Sequence, residues 1–141
     1  MDSLLNWFSG TPKYICFEDM LIATGKPGEY IIINTLPNSE QSCLIKGTCP
    51  IGDEEHTINK IISKYDGVEY KIIIYGKNAC DLSVYKKRNQ LLSLGFGHVY
   101  IYKGGLFEWL LLQDIYGESH FATCGKAHDI LAYKGAQLFN L

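Results

Sequence analysis

The chain has 141 residues, 47% hydrophobic and 20% charged, the size and composition of one globular domain, and this excludes a disordered chain. A formal charge of -2, with lysines scattered among acids, leaves no basic footprint for a nucleic-acid backbone. Five cysteines without a C-x-x-C pair indicate neither a disulfide framework nor a zinc site, and reduced thiols in the cytoplasm are expected. The apolar runs are too short to span a bilayer and no positive region opens the chain, so neither a membrane partner nor a cleaved leader is expected.

In chain order, Ser3 caps a short apolar helix with Leu4, Leu5, Trp7 and Phe8, expected to pack on the domain as a flap. Tyr14 to Cys16 reads as an edge strand, and Phe17, Met20, Leu21 and Ala23 follow helical spacing up to Gly25. Tyr30 to Asn34 is a β-branched run and so a buried strand; Cys43 to Ile45 and Thr48 to Ile51 each predict a short strand. Asp53 caps a helix with Ile58, Ile61, Ile62 and Tyr65 on one face, closed by Asp66-Gly67.

The stretch that organises the rest is E-Y-K-I-I-I-Y-G-K-N-A-C-D-L, Glu69 to Leu82. Ile72, Ile73 and Ile74 predict a strand buried on both faces; Gly76, Lys77, Asn78, Ala79 and Cys80 form a loop; Asp81 caps a helix to about Leu94. Leu82, Tyr85, Leu91 and Leu92 are expected to face inward. Ligands of open α/β sheets bind at the carboxyl ends of strands, and a helix N-terminus there offers free N-H groups to an anion. This loop is therefore the candidate site, with Lys77 and Arg88 as cations that would draw an anion to it. Cys80 is its only thiol, set where a helix N-terminus activates sulfur, with Asp81 acting against that.

After the loop come a strand from Val99 to Tyr102 and a helix opened by Gly104-Gly105. That helix carries Leu106, Phe107, Trp109, Leu110, Leu111, Leu112 and Ile115, apolar nearly all round and so expected to be buried on more than one side. Ala127 to Tyr133 predicts a last short helix, and Leu138, Phe139 and Leu141 an apolar end. The four histidines lack ligand spacing and read as surface residues, and neither a metal nor a cofactor is expected. The G-F-G at Gly95 precedes a strand where a dinucleotide fingerprint must follow one. The alternation of strands and helices predicts an α/β fold with a mainly parallel sheet of about five strands and helices on both faces.

The strand I-I-I-Y, the six-residue loop and helix, the strand V-Y-I-Y, Gly104-Gly105 and Trp109 resemble the second half of a rhodanese-like domain. Ile31 to Thr35 resembles that family's first core strand. The resemblance spans roughly Tyr14 to Tyr116, a core of about 14–116 followed by an extension, 117–141, within one domain of 1–141. In active rhodaneses the residue after the central strand is the persulfide-carrying cysteine; here it is Gly76, and Asp81 stands where a basic or hydroxyl residue often closes the loop. The family's first strand ends in an aspartate followed by an arginine, whereas this chain has Asn34, Thr35 and Leu36.

The resemblance thus implies a rhodanese-like module without the usual nucleophile, serving interaction or regulation. The alternative is a sulfurtransferase carrying sulfane sulfur on Cys80 from thiosulfate to cyanide or a thiol. The corresponding partners are another protein or a small anionic sulfur donor, and the apolar ends allow a homodimer. On this reading Gly76→Cys raises a weak sulfurtransfer more than Cys80→Ser lowers it.

Overall fold

The computed structural model describes residues 10–64 and 70–140. The helix expected from Ser3 to Phe8, Tyr65 of the later apolar helix face and the stop expected at Asp66-Gly67 lie outside the described residues. In chain order the elements are β1 (Lys13–Ile15), α1 (Phe17–Thr24), β2 (Tyr30–Asn34), β3 (Leu44–Ile45), α2 (Glu54–Ser63), β4 (Lys71–Tyr75), α3 (Ser83–Ser93), β5 (Val99–Tyr102), α4 (Gly105–Tyr116) and β6 (Thr123–Cys124). Short 3-10 turns lie at Asn38–Glu40 and Ile130–Tyr133.

β1, β5, β4 and β2 form one parallel sheet in that order, and β3 pairs antiparallel with β6 as a separate ribbon. β4 is flanked on both sides, with Ile72 to Ile74 opposite Ile31 to Ile33 of β2 and opposite Val99 to Ile101 of β5. Its triple isoleucine is the residue type such a position selects: successive side chains go to opposite faces, and both faces are dry. Ile72 and Ile74 join Ile33, Val99 and Ile101 beneath α2 and α3, where Ile58, Ile61, Val84 and Leu91 close the layer. Ile73 and Tyr75 join Met20 and Ala23 of α1 and Leu106, Trp109 and Leu110 of α4 on the other face.

Among the described residues the parallel sheet has four strands, where about five were expected. Gly47, at φ +89°, turns the chain away after β3, so the stretch from Thr48 contributes one parallel bridge to Ile32 instead of a strand. Two other expectations are corrected. Leu82 is 74% exposed because α3 begins at Ser83 and turns Val84, Arg88 and Leu91 inward. α4 is not buried all round: Leu106, Trp109 and Leu110 face the core while Leu111, Ile115 and Tyr116 are exposed.

The segment after α4 returns to that helix. Trp109 Nε1 donates to the Ala122 carbonyl at 3.0 Å, and Gln113 Nε2 donates to the Phe121 carbonyl at 2.8 Å. The Phe121 ring stands edge-on to Trp109, with centroids 5.1 Å apart. Among the described residues no helix is long and apolar enough to cross a membrane.

Trp109 therefore joins α4, the sheet and the returning segment. Trp109→Ala is expected to cost about 3 to 5 kcal/mol in denaturant unfolding, the range for a large core aromatic; a loss below about 1 kcal/mol would show that Trp109 does not hold these layers together.

Candidate functional site

The loop from Gly76 to Leu82 leaves the carboxyl end of β4, held from one side by α4. The Gly76 carbonyl accepts from Leu106 N-H at 3.0 Å and the Lys77 carbonyl from Phe107 N-H at 2.9 Å. The first turn of a helix has N-H groups with no partner in the helix, and here the loop supplies the acceptors. This contact explains the second glycine of the pair that opens α4. Gly105 sits at φ +68°, and a Cβ there would lie 2.8 Å from the Gly76 oxygen and 3.0 Å from Asn78 N.

Asp81 lies at the centre of the loop. Its Oδ2 accepts from Lys77 N-H at 2.9 Å, and its Oδ1 accepts from Ser83 N-H at 3.0 Å and from the Ser83 hydroxyl at 2.6 Å. A carboxylate can only accept, so Ser83 Oγ gives its proton to Asp81 and accepts from Thr35 Oγ1, 2.7 Å away. Burial pushes the Asp81 carboxyl up. The Lys77 N-H, both Ser83 donors and the Lys77 charge outweigh burial and hold it below the ordinary carboxylate value. The same carboxylate lies over Gly76, where a Cβ would meet Oδ2 at 2.5 Å and Cγ at 2.9 Å. The position from which a nucleophile would project is therefore filled by the side chain of Asp81.

The other loop residues are turned to structural contacts. Lys77 Nζ pairs with Glu40 at 2.8 Å and lies 5.9 Å from the centre of the Tyr133 ring. Asn78 Oδ1 accepts from Cys80 N-H at 2.9 Å while its Nδ2 donates to the Tyr133 carbonyl at 3.0 Å. Ala79 is exposed at the loop's tip. Cys80 is exposed and its sulfur lies against Gly135, 3.3 Å from where a Cβ of that residue would stand. The thiol thus meets the returning C-terminal segment, while the space over Gly76 belongs to Asp81.

Arg88 is not brought to the loop. It lies more than a turn into α3 on the sheet-facing side with Val84 and Leu91, is 6% exposed, and donates from Nη2 to the Gly10 carbonyl at 3.2 Å. The crevice between the ends of β4 and β5 is where adjacent crossovers depart to opposite faces, the usual ligand position in an open sheet. Here it leaves a cavity of about 10 Å³, lined by Gly76, Asp81, Tyr102 and Lys103 among others. That is about the space of one water. At the start of α4 Glu108 folds back over Gly104 and accepts from the Tyr102 hydroxyl at 2.7 Å. Burial and the Glu108 carboxylate both push the Tyr102 phenol up.

At the end of β2 Asn34 pairs with the side-chain amide of Gln41. Asn34, 3% exposed, donates to Gln41 Oε1 at 3.1 Å and accepts from Gln41 Nε2 at 2.8 Å and from Leu36 N-H at 3.1 Å. Ser83, Gln41, Glu40 and Tyr133 were not singled out in the sequence. The D-x-S spacing of Asp81 and Ser83 is the one local signal, since Asp commonly accepts from the N-H two residues on. The other contacts form only in the folded chain. Among the described residues no three His, Cys, Asp or Glu side chains gather as metal ligands would.

A carboxyl whose folded value lies below its unfolded one binds protons more readily when unfolded, so its stabilisation is present at neutral pH and lost in acid. Asp81→Ala is expected to cost about 1 kcal/mol at pH 7, as for loss of a helix-capping acceptor. The gap from the wild type should close as pH falls below about 4, the ordinary carboxyl value. Urea unfolding of both proteins between neutral pH and acid checks this, and a gap that does not shrink would contradict it.

No family model matches the chain, and no curated protein matches it. Solved structures do. The crystal structure of the Alr3790 protein from Anabaena sp. aligns at TM-score 0.53 and 23% identity, over 79% of this chain and 91% of that one. The solution NMR structure of the rhodanese-like domain from the same protein aligns at 0.52 and 22%, over 93% and 92%. The BH2092 protein from Bacillus halodurans aligns at 0.57 and 16%, over 82% of each chain. Together with the parallel sheet, the helices on both faces and the loop after β4, these likenesses establish that the chain has the rhodanese-like fold.

Proposed function

We propose that this chain is a rhodanese-like module that does not transfer sulfur, and that its loop serves as a structural element of an interaction or regulatory domain. One observation carries the reading: the Asp81 carboxylate occupies the space over Gly76, 2.5 Å from where a Cβ would stand. A persulfide-carrying loop works by converging donors on a terminal sulfur anion, as an oxyanion hole does on developing charge. In this loop Lys77 N-H and the Ser83 donors are already bound to an internal anion. An incoming thiosulfate would have to displace a carboxylate tethered in place and held ionised. The small crevice and the engagement of Lys77 with Glu40 support the same reading.

The second reading is sulfur transfer through Cys80, favoured by the exposure of that thiol. Its sulfur lies on Gly135 and not over Gly76, so the donors that would stabilise a persulfide anion are not aimed at it. A displacement of about 1 Å from a reacting position already costs about a hundredfold in rate.

The geometry changes the expectation for Gly76→Cys. A cysteine at 76 meets the Asp81 carboxylate, so the single variant is expected to stay as inactive as the wild type. Gly76→Cys with Asp81→Gly removes the obstruction and frees the donors, and is expected to yield thiocyanate from thiosulfate and cyanide at least about tenfold faster than either single variant, the effect of restoring roughly one oriented interaction. Thermal melts of all four proteins confirm that each is folded. Brisk wild-type turnover abolished by Cys80→Ser would overturn the non-catalytic reading.

A further inference from the structure

The segment that follows β6 lies against the loop. β6 is tied to β3, and Gly125, at φ +84°, comes so close to Ser42 that a Cβ there would meet the Ser42 carbonyl oxygen. From that fixed point the chain runs to the 3-10 turn Ile130–Tyr133, where Leu131 N-H donates to Asp129 Oδ1 at 3.1 Å and Ala132 N-H donates to the Asp129 carbonyl at 3.1 Å. One turn of 3-10 helix is a weak element, with poorer hydrogen-bond geometry than an α-helix. Ala127, Ile130 and Tyr133 pack on the core from its margin, each only partly buried, and Leu131 is 61% exposed.

Among the described residues one hydrogen bond joins residues 127–140 to the rest of the chain, from Asn78 Nδ2 to the Tyr133 carbonyl at 3.0 Å. The same Asn78 amide holds the loop, because its Oδ1 accepts from Cys80 N-H at 2.9 Å. The two bonds together fix the plane of one amide, so the segment and the loop share a single orienting group. Two residues on, Gly135 lies over the Cys80 sulfur: a Cβ at 135 would stand 3.3 Å from Sγ and 3.9 Å from Asn78 Oδ1. Partial burial and one hydrogen bond to the body are the marks of a segment that opens more readily than the whole chain unfolds.

We propose that residues 127–135 are a strap that opens as one unit about Gly125 while the sheet stays folded, and that its opening releases the Asn78 amide and uncovers the Cys80 sulfur. Hinges are residues at the ends of elements that absorb the backbone change, and Gly125 directly follows β6. The strap is thereby a conformational control on access to the loop. A strap can open over an inert loop as over an active one, so the opening is independent of whether the loop transfers sulfur and is read without any sulfur donor.

Hydrogen exchange of the full wild-type chain, followed by mass spectrometry with urea added in steps below global unfolding, reads the opening. The amides of residues 129–134 and of Cys80 are expected to exchange through one shared opening, at least about tenfold more often than the amides of β4. Alkylation of Cys80 by a bulky maleimide, located by peptide mass spectrometry, is expected to rise with the same urea dependence, with exposed Cys16 as the internal standard. Tyr133→Ala removes the packing ring and Gly135→Val wedges the contact over the sulfur. Each is expected to speed Cys80 alkylation at least about fivefold relative to Cys16, the change in an opening equilibrium that the loss of roughly one net hydrogen bond produces. Asn78→Asp, which keeps the acceptor for Cys80 N-H and loses the donor to Tyr133, should speed exchange of residues 129–134 similarly. Strap amides that exchange no more often than those of β4 would overturn the proposal, and this wild-type result decides it even where a variant fails to fold. A Cys80 rate that folded Tyr133→Ala and Gly135→Val leave unchanged would overturn it as well.

Discussion

The Asp81 carboxylate is the contact on which the loop depends. Six residues after β4 ends at Tyr75, it takes the Lys77 N-H at the loop's beginning and the Ser83 N-H and hydroxyl at its close, so one side chain fixes both ends of the turn. Through Ser83 it reaches Thr35 at the end of the neighbouring strand, and through the loop's backbone it sets the carbonyls that receive the first N-H groups of α4. An anion of this kind at a helix N-terminus is favoured twice, by the unpartnered donors and by the helix dipole. Gly76 completes the arrangement because the absence of a Cβ leaves room for the carboxylate.

The loop's donors are thus directed at an anion that belongs to the chain itself. The neighbouring features agree with such a closed site. Lys77 pairs with Glu40 beside the Tyr133 ring, Asn78 ties the loop to the segment after α4, and Glu108 lies over Gly104. At the end of β2 the Asn34 and Gln41 amides hydrogen-bond each other in both directions. A buried amide pair with its donors and acceptors matched holds the turn without the desolvation that a buried ion pair entails.

The order of strands and helices was legible in the sequence because it rests on periodicity. The isoleucine runs at Ile31 and Ile72 mark strands with two dry faces, and Asp53 stands at the N-cap of α2, while Asp81, expected to cap α3, lies one residue before its N-cap Leu82. That Gly76 and Asp81 stand in this loop was legible as well. What became of those two positions was not, since the fit of the Asp81 side chain above Gly76 depends on how tightly the loop turns, and sequence does not encode that distance directly. Arg88 shows a second limit: a cation on a helix reads as solvated until the packing turns its face to the sheet. α4 shows a third, because apolar residues at Leu111 and Ile115 read as core although nothing described covers them.

The central claim is that no cysteine of this chain is served by the loop's donors. The most direct measurement is intact-protein and peptide mass spectrometry of the wild type after incubation with thiosulfate, followed by removal of excess donor. The account predicts no cysteine carrying the mass of an added sulfur, including exposed Cys80; a persulfide on Cys80 at near one sulfur per chain, absent from Cys80→Ser, would contradict it.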